Sequence, residues 1–159
     1  MSSVEQQHPE TILELIDVSL GYGERTILSD LNVRVRRGEV VALIGGSGSG
    51  KTTLLRAATG QLRPQKGQVF LYGQDITQVS KDKMRELRQR MGVLFQQGAL
   101  FTDLDVFDNV AFPLRELTHT PESEIFDKVL SKLDAVGLRT AAHLGLSEIS
   151  GGMARRVAL

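Results

Sequence analysis

The 159-residue chain has no cysteine and no tryptophan, and only four prolines. Without a thiol, disulfides, thiolate metal sites and thiol nucleophiles are all excluded. Such a composition is compatible with a reducing compartment. A charge excess of either sign is also missing, since 19 Lys and Arg stand against 19 Asp and Glu. Nothing therefore marks a general binder of nucleic acid or of a membrane surface. No apolar run approaches the roughly 18 residues of a membrane span, and Met1 to Glu10 lack the apolar centre of a signal peptide. Any membrane association is expected to go through a partner. The length suits one domain with a sizeable core.

Glycine is plentiful, and its distribution is informative. Gly45-Gly46-Ser47-Gly48-Ser49-Gly50-Lys51-Thr52 fits the phosphate-loop template G-x-x-x-x-G-K-[ST]. Glycines at these positions let successive N–H groups turn inward as an anion-binding nest. The helix expected over Thr52 to Ala58, ended by Gly60, adds its unpaired N–H groups and the positive end of its dipole. Lys51 is expected to reach the β- and γ-phosphates, Thr52 to ligate Mg²⁺, and Thr53 to bond the α-phosphate. The preceding run Val40-Val41-Ala42-Leu43-Ile44 reads as a strand buried on both faces of a parallel sheet. These features predict a nucleoside-triphosphate site.

Strand patterns also occur over Thr11 to Leu20, Leu31 to Val35, Gln68 to Tyr72 and Gly92 to Phe95. Gly21 to Arg25 and Arg37 to Glu39 read as turns. Ser80 is placed to cap a charged, solvated helix over Lys81 to Arg90. Further on, Phe107, Val110 and Phe112 lie in an apolar segment that Pro113 should kink or stop. Thr120 is an N-cap candidate with Pro121 at the first helical position. Ile125, Val129 and Leu133 then form a core stripe, and Gly137 closes the helix. No internal repeat interrupts this order.

Ser147 to Arg156 contains Ile149-Ser150-Gly151-Gly152-Met153, which resembles the L-S-G-G-Q signature of ATP-binding cassette (ABC) proteins. Preceded by the phosphate loop and by Leu94-Phe95-Gln96, it follows the family's order, and the resemblance covers nearly the whole chain. The fold implied is α/β, the P-loop NTPase fold of ABC ATPases. It has a mixed sheet with N-terminal antiparallel strands plus a helical subdomain, and it stops before the Walker B strand. Residues 1–159 would form one incomplete ABC ATPase domain. In it, 11–95 are a portion of the nucleotide-binding core, and 96–159 hold the glutamine loop, helical subdomain and signature.

The same resemblance implies ATP and Mg²⁺ as cofactors. Gln96 would sense Mg²⁺ and the attacking water, and Tyr22 would stack on adenine. Ser150, Gly151 and Gly152 would meet the γ-phosphate of ATP held by a second subunit in a head-to-tail homodimer. A narrower resemblance, carried by Leu94 to Glu116 and by SGGMARRVAL from Ser150 to Leu159, is to the ATPases of bacterial Mla-type phospholipid transporters. It implies a permease gripped through Gly98 to Phe112, an MCE-domain lipid-binding protein as a further partner, and no nucleic acid. It also implies a place on the cytoplasmic face of the inner membrane, reached through the permease.

In the family an apolar strand ending in Asp-Glu, a dimer loop and a switch histidine follow the position of Leu159. Asp103, Asp105 and Asp108 fall in the coupling region and do not replace those carboxylates. The chain is thus expected to be the N-terminal part of a longer ATPase, one that binds nucleotide weakly without turning it over. The leading function is the ATPase of a lipid ABC transporter. A soluble ABC-type ATPase and an inactive nucleotide-binding fragment are the alternatives.

Overall fold

The computed structural model describes residues 10–95 and 98–159. They fall into two compact units, divided between Gly92 and Val93.

The first unit is built on a hairpin of β1 (Thr11–Tyr22) and β2 (Arg25–Arg36). Its two-residue turn places Gly23 at φ 57°, a conformation glycine adopts without steric cost. Apolar residues face one another across the pair, Leu13 against Val35, Leu15 against Val33 and Val18 against Leu31. The pairing shifts register between Leu15 and Val18. There Asn32 donates to the Asp17 carboxylate at 3.0 Å, and the Asp17 N–H donates to Asn32 Oδ1 at 3.1 Å.

Following the phosphate loop come α1 (Lys51–Ala58), β3 (Lys66–Leu71), β4 (Gln74–Asp75) and α2 (Lys81–Arg88). The sheet order is β2-β1-β3-β4, with every pairing antiparallel. Leu15, Val18, Leu20, Val69 and Leu71 are buried on it, together with Ala57 from α1 and Met84 and Leu87 from α2. Ser80 caps α2 as expected, its hydroxyl accepting from the Lys83 N–H at 3.2 Å. Glycine 60, at φ 69°, follows α1.

Two expected strands do not form. Val40 to Ile44 is irregular and exposed, with Val40 98% and Ile44 93% accessible. Gly92 to Phe95 is likewise irregular, and Val93, Leu94 and Phe95 are exposed. A doubly buried strand needs a hydrogen-bonding neighbour and two covering layers. Among the described residues neither segment has a strand partner, so apolar sequence alone does not make it a strand.

The second unit is helical. Its α3 (Val106–Leu117) is capped by Asp105, whose carboxylate accepts from the Asp108 N–H at 2.7 Å. Two further N–H groups at this end, those of Val106 and Phe107, donate to Leu144 and Ala142 carbonyls at 3.0 and 2.8 Å. Orphan donors of the first turn are thereby satisfied by the chain that follows α4. Pro113 does not stop α3, which runs four residues past it to Leu117. Proline removes only its own N–H, and Leu114 beyond it packs on the core.

The next helix, α4 (Glu122–Ala135), starts one residue later than the sequence suggests, with Pro121 as its N-cap. Thr120 turns back on Thr118, the two hydroxyls lying 2.8 Å apart, and does not cap the helix. The core stripe is as expected, with Ile125, Val129 and Leu133 at most 1% accessible. Gly137 stands at φ 68°, and the Leu138 N–H reaches back to the Leu133 carbonyl at 2.7 Å, a glycine-ended helix closure. Short 3₁₀ turns over Arg139–Ala141 and Leu146–Glu148 lead to α5 (Gly151–Val157). Val106, Ala111, Leu138, Ala141 and Val157 complete this core.

Candidate functional site

The phosphate loop lies in the first unit and turns on its glycines. Gly48 and Gly50 stand at φ 77° and 92°, and a Cβ on Gly50 would fall 2.8 Å from Leu28 Cγ. Any other residue there meets both a forbidden backbone region and a packed side chain. Gly50 is also the N-cap of α1 and offers no side-chain cap, and the first turn of α1 has no acidic residue. The N–H groups of Gly48, Gly50 and Lys51 have no acceptor among the described residues. Backbone donors, a helix N-terminus and a lysine therefore converge with no acidic residue in the first turn of α1, an arrangement suited to an anion.

Lys51 folds back across this loop. Its ammonium donates to the Gly45 and Gly46 carbonyls at 2.8 and 2.6 Å and to Ser49 Oγ at 3.3 Å. The loop is thereby closed on itself by the Lys51 side chain. A cavity of about 230 Å³ is lined by Ile27, Gly48, Ser49, Gly50, Lys51, Thr52 and Thr53. Ser47 and Thr52 are exposed. Thr53 by contrast is buried, 6% accessible.

Tyr22 ends β1 with a half-exposed ring. Its hydroxyl accepts from Arg56 Nη1 at 3.0 Å, and the hydrogen bond from this guanidinium holds the phenol below its ordinary pKa. Arg56 lies on α1, so the strand that carries Tyr22 and the phosphate-loop helix are tied by a side-chain contact. Sequence reading missed Arg56, because its place as a basic residue in the last turn of a helix is already explained by the helix dipole.

Ser150, Gly151 and Gly152 lie in the second unit. Ser150 caps α5, its hydroxyl accepting from the Met153 N–H at 3.2 Å, and Gly151 and Gly152 are exposed. Gln96 lies outside the described residues. The carboxylates Asp105 and Asp108 have structural partners, the first as cap of α3 and the second in a 2.8 Å bridge to Arg115. Arg115 also pairs with Glu122 of α4.

Residues 28–159 match the family described as ABC transporter. The chain belongs to this family. The ABC chain is 53% identical over 150 residues to the intermembrane phospholipid transport system ATP-binding protein MlaF of Haemophilus influenzae, a match covering 94% of this chain and 57% of that protein. It is 42% identical over 147 residues to the probable ribonucleotide transport ATP-binding protein mkl of Mycobacterium leprae, covering 92% of this chain and 42% of that one. It thus spans about half the length of these curated relatives. The dimeric ATP-binding cassette MJ0796, solved in a post-hydrolysis state bound to ADP and Pi, superposes with a TM-score of 0.82 at 28% identity. That superposition covers 92% of this chain and 67% of the solved one. The ABC ATPase fold expected from the motifs is therefore the fold of this chain, although two of its strand segments are unpaired among the described residues.

Proposed function

We propose that this chain is part of the ATP-binding subunit of an ABC transporter that moves phospholipid between bacterial membranes. The observation that carries the nucleotide half of the reading is the set of N–H groups at Gly48, Gly50 and Lys51, without acceptors among the described residues, beside the Lys51 ammonium. The substrate half is supported by the 53% identity to a protein named for phospholipid transport. Residues 11–95 supply the nucleotide-binding core, and 96–159 the glutamine loop, helical subdomain and signature.

In this reading the backbone from Gly45 to Gly50 cradles the phosphates and Lys51 moves from loop carbonyls to phosphate oxygens. Thr53 adds a bond to the α-phosphate, and Tyr22 stacks on adenine while Arg56 holds its phenol. The exposed Thr52 hydroxyl suits a Mg²⁺ ligand, with Gln96 as a second. Mg²⁺, when bound, neutralises charge on the phosphates. Ser150, Gly151 and Gly152 serve the nucleotide of a second, head-to-tail copy, with the Ser150 hydroxyl and the start of α5 facing its γ-phosphate.

The permease is gripped through Gly98 to Phe112, which places the subunit at the cytoplasmic face of the inner membrane, with an MCE-domain protein as a further partner. Exposed Phe101 and Phe112, whose ring centroids are 4.5 Å apart, support an apolar docking surface in this region.

The test is reconstitution of the full-length protein with its membrane subunits in vesicles, supplied with Mg-ATP and either a fluorescent phospholipid or a ribonucleotide. Phospholipid movement that needs both ATP and Lys51 is the expected result. Ribonucleotide movement without phospholipid movement would replace the substrate, and hydrolysis that survives Lys51→Ala would remove the phosphate-loop assignment.

A further inference from the structure

We propose that Asn109 is a positioning residue, holding the segment before α3 in the conformation that presents Phe101 to a membrane partner. The inference rests on the reading of Gly98 to Phe112 as the docking surface. Asn109 lies on α3 between Val106 and Phe112 and is 8% accessible. It is one of two buried polar residues among those described. Its side chain makes four contacts, all with the backbone of one segment. Oδ1 accepts from the Phe101 N–H at 2.8 Å. Nδ2 donates to the Phe101, Leu104 and Asp105 carbonyls at 3.1, 3.1 and 2.9 Å.

Two amide hydrogens are thus shared among three carbonyls, and Phe101 is held through both its N–H and its C=O. Between residues 99 and 104 the segment's own backbone supplies a single hydrogen bond, from the Leu104 N–H to the Phe101 carbonyl at 3.2 Å. Ala99 sits at φ 53°, a region costly for a residue with a Cβ. Regular structure does not determine where Phe101 lies; Leu100 beside it packs on the helical core, and the buried amide fixes both backbone groups of Phe101 itself. An unmade bond to a buried group is costly, so the four contacts form together or the segment rearranges. Their product is an aromatic pair, Phe101 and Phe112, still 49% and 37% accessible. A side chain whose only role was to fill the core would be apolar. This one turns its polar atoms to the backbone that carries an exposed ring.

The test uses the full-length subunit assembled with its membrane subunits, with hydrogen exchange resolved at single amides. In the wild type the Phe101 amide should exchange at least tenfold more slowly than in a free peptide. Exchange at the free-peptide rate overturns the inference without any variant. In Asn109→Ala, or in Asn109→Ser if the alanine variant does not fold, the Phe101 amide should accelerate at least tenfold while the Val129 and Leu133 amides keep their rates. Recovery of the membrane subunits should fall by a similar factor. Acceleration of all three amides together would mean a merely structural role, and no acceleration would mean no role. A Phe101→Ala, Phe112→Ala double variant separates the two layers. If it retains the membrane subunits, the docking reading fails. If it loses them while Asn109→Ala retains them, only the positioning role fails.

Discussion

The two units of this chain bury apolar sequence with unequal success. In the helical unit Val106, Ile125, Val129 and Leu133 are all at most 1% accessible, each near its sequence neighbours. In the nucleotide unit the hairpin core is equally well buried, yet Val40 to Ile44, as apolar as any segment in the protein, stands in solvent. Helices satisfy their backbone within one segment, whereas strands borrow both partners from elsewhere. A helix-rich unit can therefore complete itself from a short stretch of chain, and a sheet-rich one depends on residues far away in sequence.

The largest expected effect concerns the functional half of this contrast. Two unit charges about 4 Å apart at an effective dielectric near 20 attract by about 4 kcal/mol, a ceiling of nearly three decades in affinity. Lys51→Ala should approach but not reach that loss for Mg-ATP, measured by calorimetry, because solvent screens the loop. Lys83→Ala, which removes an exposed pair with Glu86 on α2, should leave ATP affinity unchanged. The reverse order would break the assignment of the nucleotide site to the first unit.

Next in size is a packing test. Leu133→Ala, at 1% accessibility, should destabilise by about 3 kcal/mol in urea denaturation, in the usual range for a buried leucine. Ile44→Ser in the 159-residue chain should change stability by less than about 0.5 kcal/mol, as surface substitutions do. Equal losses would show that the Val40 to Ile44 run is buried in solution, and the contrast between the units would disappear.

Capping sharpens the comparison at a smaller scale. Ser80 and Ser150 each accept a 3.2 Å bond from the third residue of their helices, one in each unit. Ser80→Ala and Ser150→Ala should each cost about 1 kcal/mol by thermal or denaturant unfolding. In the full-length protein only Ser150→Ala should also lower ATP turnover, since Ser80 has no part in the proposed site.

The smallest effect is one of pH. Hydrogen bonding to Arg115 holds the Glu122 carboxylate below its ordinary range, and the same contacts raise the Arg115 guanidinium pKa. A depressed folded pKa contributes stability that is full above the unfolded value, about 4.3 for glutamate, and that is lost as pH falls through the lower folded value. Arg115→Met should therefore flatten the acid limb of the stability curve slightly, with no change at neutral pH beyond that of an exposed pair. A steeper limb in the variant would contradict the pairing.

Much of this was legible in the residues. The glycine-rich turn from Gly45 to Gly50 and the helix after it were legible because glycine spacing and a following helix are local properties. Ser80 at its cap and the stripe of Ile125, Val129 and Leu133 were readable for the same reason. Pro113 does not stop α3 and Thr120 does not cap α4, because a helix packed on a core continues past a missing donor and a threonine hydroxyl has competing neighbours. The place of Asn109 on an otherwise apolar helix face is a signal, but an ambiguous one. Sequence shows that a polar residue is present there, but not whether it faces solvent or a loop that needs it.

By itself the sequence determined the phosphate-loop pattern, the core stripe of α4 and the family, since all three are carried by residues whose spacing has a physical meaning. Tertiary structure alone decided the rest. It showed that Lys51 bridges the loop carbonyls, that Arg56 ties Tyr22 to α1 and that Asn109 holds the Phe101 segment. It also showed that, among the described residues, the apolar Val40 to Ile44 run has no strand beside it. Each of these depends on what lies across space from a side chain or a backbone edge, and hydrogen bonds between segments distant in sequence leave no period or spacing in the chain to be read.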